Sequence, residues 1–450
     1  MEDTIVAIAT TVGFSALNVI RISGQNSIEI VNKICSKDLT KLKANTINYT
    51  FIIENAEKID EVLVSIFKSP KSFTTEDVVE INTHGGTSTV NKIMQLLIKN
   101  GCRQAEPGEF IKRAFLNGRI DLIEAEAVSD LINSKTEEAR KISMKGIEGK
   151  ISNKIRTLRE EILSLIANIE VNIDYPEYED ALVITNNLLK DKIENIKKQF
   201  ENILENSKNN KIIINGISAG IIGSPNVGKS SLLNALLEEE KAIVTDIEGT
   251  TRDTVEGSII ISGIEVKLID TAGIRKTKDK VEEIGVKKSY QILKNSDIIL
   301  FVLDNNRKIT KEEESLIKTL DKEKTIIIIN KLDLKSNIDK NKLKDFTIVE
   351  ISLKNENNLE ALKNKIKELF NIEKIKNRDY TYLCNARQIG LIENALIIIK
   401  EIEEELNLNV EIDLIEINIR RLWDILGEIL GESYNDELLD EIFSKFCLGK

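Results

Sequence analysis

Gly223, Ser224, Pro225, Asn226, Val227, Gly228, Lys229 and Ser230 follow one another in the pattern G-x-x-x-x-G-K-S. In a loop of this kind the glycines let backbone N–H groups curl around phosphate oxygens. The lysine reaches the β and γ phosphates and the hydroxyl ligates Mg²⁺. Asp270, Thr271, Ala272 and Gly273 lie further on, where a carboxylate can hold the Mg²⁺ shell while the Gly273 N–H approaches the γ-phosphate. Asn330, Lys331, Leu332 and Asp333 come third. A carboxylate accepts two hydrogen bonds, which suits the N1–H and N2–H₂ of guanine, and adenine offers no such donor pair. Three motifs in this order predict GTP as the substrate, with Mg²⁺. Ser352, Leu353 and Lys354 stand where such proteins carry S-A-K, with Leu353 as a departure.

The residue after Gly273 is Ile274, where a Ras-type enzyme carries a water-orienting glutamine. An isoleucine side chain cannot orient water. Either hydrolysis is very slow, or another polar residue and another positive charge take over that work. Gly249, Thr250, Thr251, Arg252 and Asp253 form the natural switch segment, with Thr251 a candidate second Mg²⁺ ligand.

Each motif needs a strand end or a helix start to hold it, and the apolar patterning supplies these. Ile217–Ile222 predicts the strand before the phosphate loop, and an apolar helix begins near Ser231. Further strands are predicted at Val266–Ile269, Ile298–Leu303, Ile326–Ile329 and Thr347–Ile351, with helical segments such as Val281–Leu293 and Leu359–Phe370 between most of them. Buried strands alternating with helices predict a mostly parallel sheet. Before this region the pattern is helical. Ile151, Ile155, Leu158, Ile162 and Leu165 share one helix face, and Leu189, Ile193, Ile196, Phe200 and Ile203 share another. Pro176 breaks the helix between the two. Helices return after it, with Leu391–Leu406 and then Ile415, Ile419, Leu422 and Ile429. The first segment mixes short strands, Asn18–Ile22 and Glu61–Phe67, with a helix at Ser88–Leu97. The expected fold is α+β and multidomain. It has an N-terminal α/β domain at 1–118, a discontinuous all-helical domain at 119–210 and 378–450, and an inserted Ras-like P-loop G domain at 211–377.

Length and composition agree with several globular domains. The chain has 450 residues, 41% hydrophobic and 30% charged, with 4 Pro and 22 Gly. With 63 Lys+Arg against 74 Asp+Glu the net charge is −11, which argues against a stand-alone nucleic-acid binder. RNA held partly by a partner stays open. Cys35, Cys102, Cys384 and Cys447 are scattered, so no zinc site or disulfide framework is expected. The N-terminus lacks the basic start of a signal peptide, and no apolar run approaches the ~18 residues that span a bilayer. A cytoplasmic protein in a reducing compartment, without membrane attachment, is the expectation.

Further motifs accompany these. Arg21-Ile22-Ser23-Gly24 and Glu76-Asp77-Val78-Val79-Glu80 lie in the first domain, the latter leading into His84-Gly85-Gly86. Pro107-Gly108-Glu109-Phe110, Arg113-Ala114-Phe115-Leu116-Asn117 and the terminal Cys447-Leu448-Gly449-Lys450 complete the set. Together with the switch segment they resemble the MnmE (TrmE) family of tRNA-modifying GTPases, over essentially the whole chain.

The resemblance implies roles at matching positions. Nucleotide contacts fall on Asn226, Val227, Gly228, Lys229, Ser230 and Ser231, on Thr245, Asp246, Ile247, Glu248, Gly249, Thr250 and Thr251, on Asp270, Thr271, Ala272 and Gly273, and on Asn330, Lys331 and Asp333. Mg²⁺ would be held by Ser230 and Thr251. A K⁺ ion replaces an arginine finger in the family; its ligands here would be Asn226, Thr245, Ile247 and Thr250. The water-orienting acid falls on Glu282, which would answer the Ile274 puzzle. The N-terminal domain resembles folate enzymes and would bind a 5-formyltetrahydrofolate-type carrier through Arg21, Glu80, Arg119 and Lys450. Cys447 is the second catalytic candidate. The family forms homodimers through that domain and a heterotetramer with a FAD- and NADH-dependent partner, MnmG. Together they add an aminomethyl-type group, carboxymethylaminomethyl among them, to carbon 5 of the wobble uridine of certain tRNAs.

There are departures. Thr11–Ala16 replaces the family's P-P-G-R-G-G loop, and Arg119 stands where lysine is usual, a fork in place of a point charge. Plainer roles compete at single residues. His84, the only histidine, suits a structural hydrogen bond near a turn; Trp423 suits core packing or an interface; Lys208–Lys211 reads as a solvated linker. A second function class is a K⁺-dependent GTPase switch in ribosome assembly. It shares the G-domain motifs but has no need of Arg21–Gly24, Glu76–Gly86 or Cys447–Lys450.

Overall fold

The computed structural model describes residues 3–11, 13–174, 186–239, 257–270, 296–354, 359–372, 383–433 and 436–449. The chain forms two compact units. The first comprises Met1–Ile132, Gly146–Lys197 and Asn394–Lys450, and the second Asn133–Lys145 and Lys198–Glu393. The fold class is α+β, with one six-stranded sheet in each unit.

In the first unit the strands are β1 (Thr4–Ile8), β2 (Leu17–Ser23), β3 (Thr46–Glu54), β4 (Glu57–Phe67), β5 (Val78–His84) and β6 (Cys102–Gln104), in the spatial order β3-β4-β5-β2-β1-β6. All neighbours are antiparallel except β1 and β6. Alternation decides which face is buried. Ile20 and Ile22 of β2, Val62, Val64 and Ile66 of β4 and Val79 and Ile81 of β5 point to one side. There Val90, Ile93, Leu96 and Leu97 close the core from α2 (Thr87–Lys99), whose predecessor is the short α1 (Ser27–Asn32). The opposite phase of the same strands carries Arg21 and Glu80, which the β2–β5 register sets side by side. The polar pair is therefore on the outer face because the apolar residues around it occupy the inner one.

Helices complete this unit. They are α3 (Glu109–Leu116), α4 (Leu122–Asn133) and α6 (Lys150–Asp174), then α12 (Ile412–Leu430) and α13 (Asp436–Ser444) near the C-terminus. The five residues expected on one face of α6 are all buried, as are Ile415, Ile419, Leu422 and Ile429 of α12, which packs along α6. The Arg159 guanidinium of α6 lies 3.8 Å from the Trp423 ring centroid, so that ring is a helix–helix contact. Phe115, Phe443 and Phe446 join α3 to α13 and the tail after it.

The second unit holds β7 (Ile217–Ile222), β8 (Gly257–Ile261), β9 (Ile264–Asp270), β10 (Ile298–Asp304), β11 (Thr325–Asn330) and β12 (Thr347–Glu350), in the order β12-β11-β10-β7-β9-β8. Only β8 is antiparallel to its neighbour. Leu300, Val302, Ile326 and Ile328 belong to the core on one face, and Ile299, Phe301, Ile327 and Ile329 to the core on the other. Strands covered on both faces need unbroken apolar runs, which is what their sequences show. Among the described residues the unit's helices include α8 (Lys229–Glu239), α9 (Lys311–Ile317) and α10 (Leu359–Leu369). Ala139 and Ile142 of α5 (Glu137–Ile147) pack into the first of these cores, and Lys135 pairs with the buried Glu265 at 2.9 Å. Two long helices, α7 (Asn186–Asn215) and α11 (Ala386–Asn407), run across the boundaries between units. Lys208–Lys211 lies inside α7, with Asn210 buried and Lys208 paired to Glu393 at 2.8 Å, so it is helix and not linker. The expected helix over Val281–Leu293 and the break around Pro176 fall outside the described residues.

Candidate functional site

The phosphate loop joins the end of β7 to the start of α8, so the helix N-terminus faces the place a phosphate would occupy. Gly228 has φ +104, and a β-carbon there would collide with the Asn330 amide. No residue but glycine fits both the angle and the space. Lys229 is buried, and its Nζ donates to the carbonyls of Gly223 at 2.8 Å and Ser224 at 2.9 Å. Ser230 and Ser231 are exposed at the start of α8, and Val227 is buried.

Asn226 sits in the left-handed region at φ +64, with its side chain exposed. Asparagine tolerates that region better than most residues, at a cost on the order of 1 kcal/mol. Neighbouring groups hold it there. Lys331 Nζ donates to the Asn226 carbonyl at 3.0 Å and to Asp304 at 2.6 Å, and Asn330 Nδ2 donates to the Val227 carbonyl at 2.9 Å. A third anchor was not visible in the motifs: Ser224 Oγ donates to Glu313 of α9 at 2.7 Å. Glu313 is buried, takes two hydrogen bonds from Arg307 and closes the capping box with Thr310. Burial alone would raise its carboxyl pKa. The Arg307 guanidinium, the Thr310 N–H and the Ser224 hydroxyl outweigh that and hold it below the ordinary range. The spacing Thr310-x-x-Glu313 was the available signal in the sequence.

Asp333 is exposed after β11, and Ser352 Oγ donates to its Oδ1 at 2.8 Å. Ser352 thus orients the carboxylate despite the Leu353 departure. Asp270 closes β9 beside β7, which puts its backbone at the same end of the sheet as the loop. Its side chain and Thr271, Ala272, Gly273, Thr245, Asp246, Ile247, Glu248, Gly249, Thr250, Thr251 and Glu282 lie outside the described residues.

A second constellation belongs to the first unit. Arg21 Nε and Nη2 each reach Glu80 Oε1 at 2.8 Å, and Nη1 donates to the Gly449 carbonyl at 3.0 Å. The C-terminal tail is therefore laid against the sheet. Gly449 has φ +86, and a β-carbon would stand 2.7 Å from the Ile8 carbonyl oxygen. The Gly108 N–H donates to the Cys447 carbonyl at 3.3 Å, tying the tail to the turn before α3 as well. Cys447 is exposed, whereas Cys35, Cys102 and Cys384 are buried, and burial pushes the Cys35 and Cys102 thiols up to about 12. Arg119 Nη1 donates to the Phe73 carbonyl at 2.9 Å, and the guanidinium lies 4.9 Å from the Phe73 ring centroid. Lys450 is outside the described residues. The tail thus brings Arg21, Glu80 and the Cys447 segment together, with Arg119 across Phe73.

His84 ends β5, where its Nδ1 is 2.6 Å from Asp60. Its backbone N–H donates to the same carboxylate at 2.9 Å. That pairing is structural. The Ala16 carbonyl, at the end of the altered loop, accepts from Gly85 N–H at 3.2 Å. Among the described residues no group of acidic, histidine and cysteine side chains could hold a metal by itself, and no helix is long and apolar enough to cross a membrane.

Residues 4–119 match the family model described as GTP-binding protein TrmE N-terminus, and residues 122–447 match that of the MnmE helical domain. The tRNA modification GTPase MnmE of Streptococcus thermophilus is 49% identical over 450 residues, covering 100% of this chain and 98% of the relative. The protein of that name from Enterococcus faecalis is 47% identical over 457 residues, with 100% and 98% covered. Among solved structures, the G domain of the T. maritima FeoB iron transporter is 27% identical, with a TM-score of 0.26, covering 34% of this chain and 98% of that one. The chain belongs to the MnmE (TrmE) family of tRNA modification GTPases.

Proposed function

We propose that this GTPase is K⁺-activated and works with a flavin-dependent MnmG-type partner. Together they add a carboxymethylaminomethyl or aminomethyl group to carbon 5 of the wobble uridine of certain tRNAs, using a tetrahydrofolate one-carbon carrier. The observation that carries this reading is the tail held between Arg21 and Gly108. Through Gly449 the segment that carries the exposed Cys447 is tied to the arginine of an arginine–glutamate pair, in a chain that also carries a GTP-type phosphate loop. A ribosome-assembly switch has no use for such a tail.

In the G domain the exposed Ser230 hydroxyl suits Mg²⁺, with Thr251 as its second protein ligand. The exposed Asn226 amide, fixed by its tethered backbone, suits a monovalent cation, with Thr245, Ile247 and Thr250 completing the set. Such a cation supplies positive charge between the β and γ phosphates. Lys229 exchanges its two loop carbonyls for phosphate oxygens, Asp270 supports the Mg²⁺ shell, Asp333 accepts from guanine, and Glu282 orients the attacking water. In the first unit Arg21, Glu80, Arg119 and Lys450 hold the folate. Glu80 and Arg21 form a donor–acceptor pair of the kind that a pterin edge requires. Homodimerisation through the N-terminal domain, assembly with MnmG and a cytoplasmic location complete the proposal.

The test is GTP hydrolysis in KCl against NaCl, for wild type and Glu282→Ala. Turnover should be much faster in K⁺. The substitution should cost roughly two to four orders of magnitude in rate, as loss of a group acting only in the transition state does, with nucleotide affinity kept. Equal rates in both salts would remove the cation from the account, and near-normal turnover of the variant would remove Glu282.

A further inference from the structure

Phe73 connects the Arg21–Glu80 pair to a concavity of about 640 Å³. Arg21 lies 5.9 Å from the ring centroid of Phe73, and Arg119 stands over the same ring. Phe67 and Phe73 are among its walls, Lys71 and Arg119 are its charged lining, and no carboxylate lines it. Lys68 opens the turn that Lys71 closes, the Lys71 N–H donating to the Lys68 carbonyl at 3.0 Å. Neither lysine has an ion pair among the described residues. In a chain with a net charge of −11, a concavity lined by two cations and no carboxylate, with Lys68 at the start of the adjoining turn, is set apart from its surroundings.

The wall is also built under strain. Thr75, which lines the concavity, has φ +63, a conformation costly for a β-branched residue. Strain of this kind persists only where the surroundings over-determine it, and it gathers at ligand sites. Here Arg113, 1% exposed, donates to Glu76 at 3.1 Å, and Asn117 Nδ2 donates to the Thr74 carbonyl at 2.7 Å. Ser23 Oγ adds contacts to Thr74 at 2.6 Å and Glu76 at 2.7 Å.

We propose that this concavity is the tail subsite for the one-carbon carrier, and that the carrier is an oligo-γ-glutamyl folate. The inference rests on the folate reading given above. The pterin belongs to Arg21 and Glu80. The aryl-amide that follows it packs against Phe73 and Phe67, and the α-carboxylates of successive glutamates meet Arg119, Lys71 and Lys68. A single glutamate presents two carboxylates, and each γ-linked residue adds one more, so Arg119 and Lys71 in the wall with Lys68 at the adjoining turn suit a chain longer than one. RNA phosphates would also be drawn to these lysines. The aromatic walls and the confinement of the cations to one concavity favour a small-molecule tail over a backbone that needs an extended basic track.

The experiment is equilibrium binding of 5-formyltetrahydrofolate carrying one glutamate and of the same compound carrying three, to the full chain. Wild type is compared with a Lys68→Glu/Lys71→Glu double variant whose thermal melting shows it folded. Wild type should bind the triglutamate roughly tenfold more tightly, the size expected of its two added carboxylates in screened ion pairs, and the gap should shrink with added salt. In the double variant the gap should vanish, with triglutamate affinity falling much further than monoglutamate affinity. Equal affinity of wild type for the two compounds would overturn the tail subsite and leave the folate reading standing. No binding of either would overturn both. Loss of monoglutamate binding in a folded variant would mean that the lysines support the ring site and not a tail, and would also overturn it. A variant that keeps the chain-length effect but binds tRNA more weakly would make the concavity an RNA contact instead.

Discussion

Arg21 divides one guanidinium between a neighbouring strand and the end of the chain, with Glu80 on one side and the Gly449 carbonyl on the other. The β2–β5 register accounts for the first partner, and the second depends on a glycine approaching where a β-carbon cannot. Arg21 and Glu80 were legible as motif residues, whereas the contact with Gly449 spans most of the chain and no local pattern encodes it. His84, the only histidine, can be followed without overlap from another imidazole. The hydrogen bond to Asp60, then the Asp60 charge, raise its pKa above the ordinary 6.5. A raised folded-state value means that the pair stabilises fully below about pH 6.5 and that this contribution fades as the pH climbs through the raised value. Asp60→Asn should bring the histidine back toward its ordinary titration, read directly from its NMR shifts against pH. An unchanged midpoint would show that Asp60 does not set it.

The phosphate loop is an element whose shape is imposed from outside. Its left-handed Asn226 is bracketed by contacts to residues 224, 226 and 227, from Glu313, Lys331 and Asn330. Strand, loop and helix were readable because the apolar runs and glycine spacing are local. The Glu313 anchor was not, because it depends on where α9 packs against β10 and β7. Glu313 reaches the loop through Ser224 and is predicted to act on nucleotide binding as a positioning residue. Ser224→Ala should cost about 1 kcal/mol of GTP binding, roughly fivefold in affinity, with little change in melting temperature. Glu313→Gln, which can still cap α9, should add little to it in the double variant. Fully additive losses would mean that the two residues act separately. The tethering of Asn133–Lys145 to the second unit was equally hidden, since Ala139 and Ile142 carry no signal of which core they join.

At the scale of the molecule, one chain holds a nucleotide-hydrolysing unit and a unit with an arginine–glutamate pair covered by its own C-terminus. The change of hydrophobic period along the chain, from mixed to helical to buried strands and back, is what predicts an interrupted order of segments. The docking of the tail was not readable, since it is settled by Phe443, Phe446 and two glycines meeting residues of β1 and the turn before α3. In the proposed function this tail serves tRNA modification. Its most direct test is mass spectrometry of tRNA nucleosides from cells carrying Cys447→Ser, beside wild-type and deletion strains. The account predicts that the 5-aminomethyl-type wobble uridine disappears in both altered strains, while purified Cys447→Ser protein still hydrolyses GTP. A modified uridine that persists in the deletion strain would contradict the account outright, and one lost only in the deletion strain would leave the tail without a chemical part.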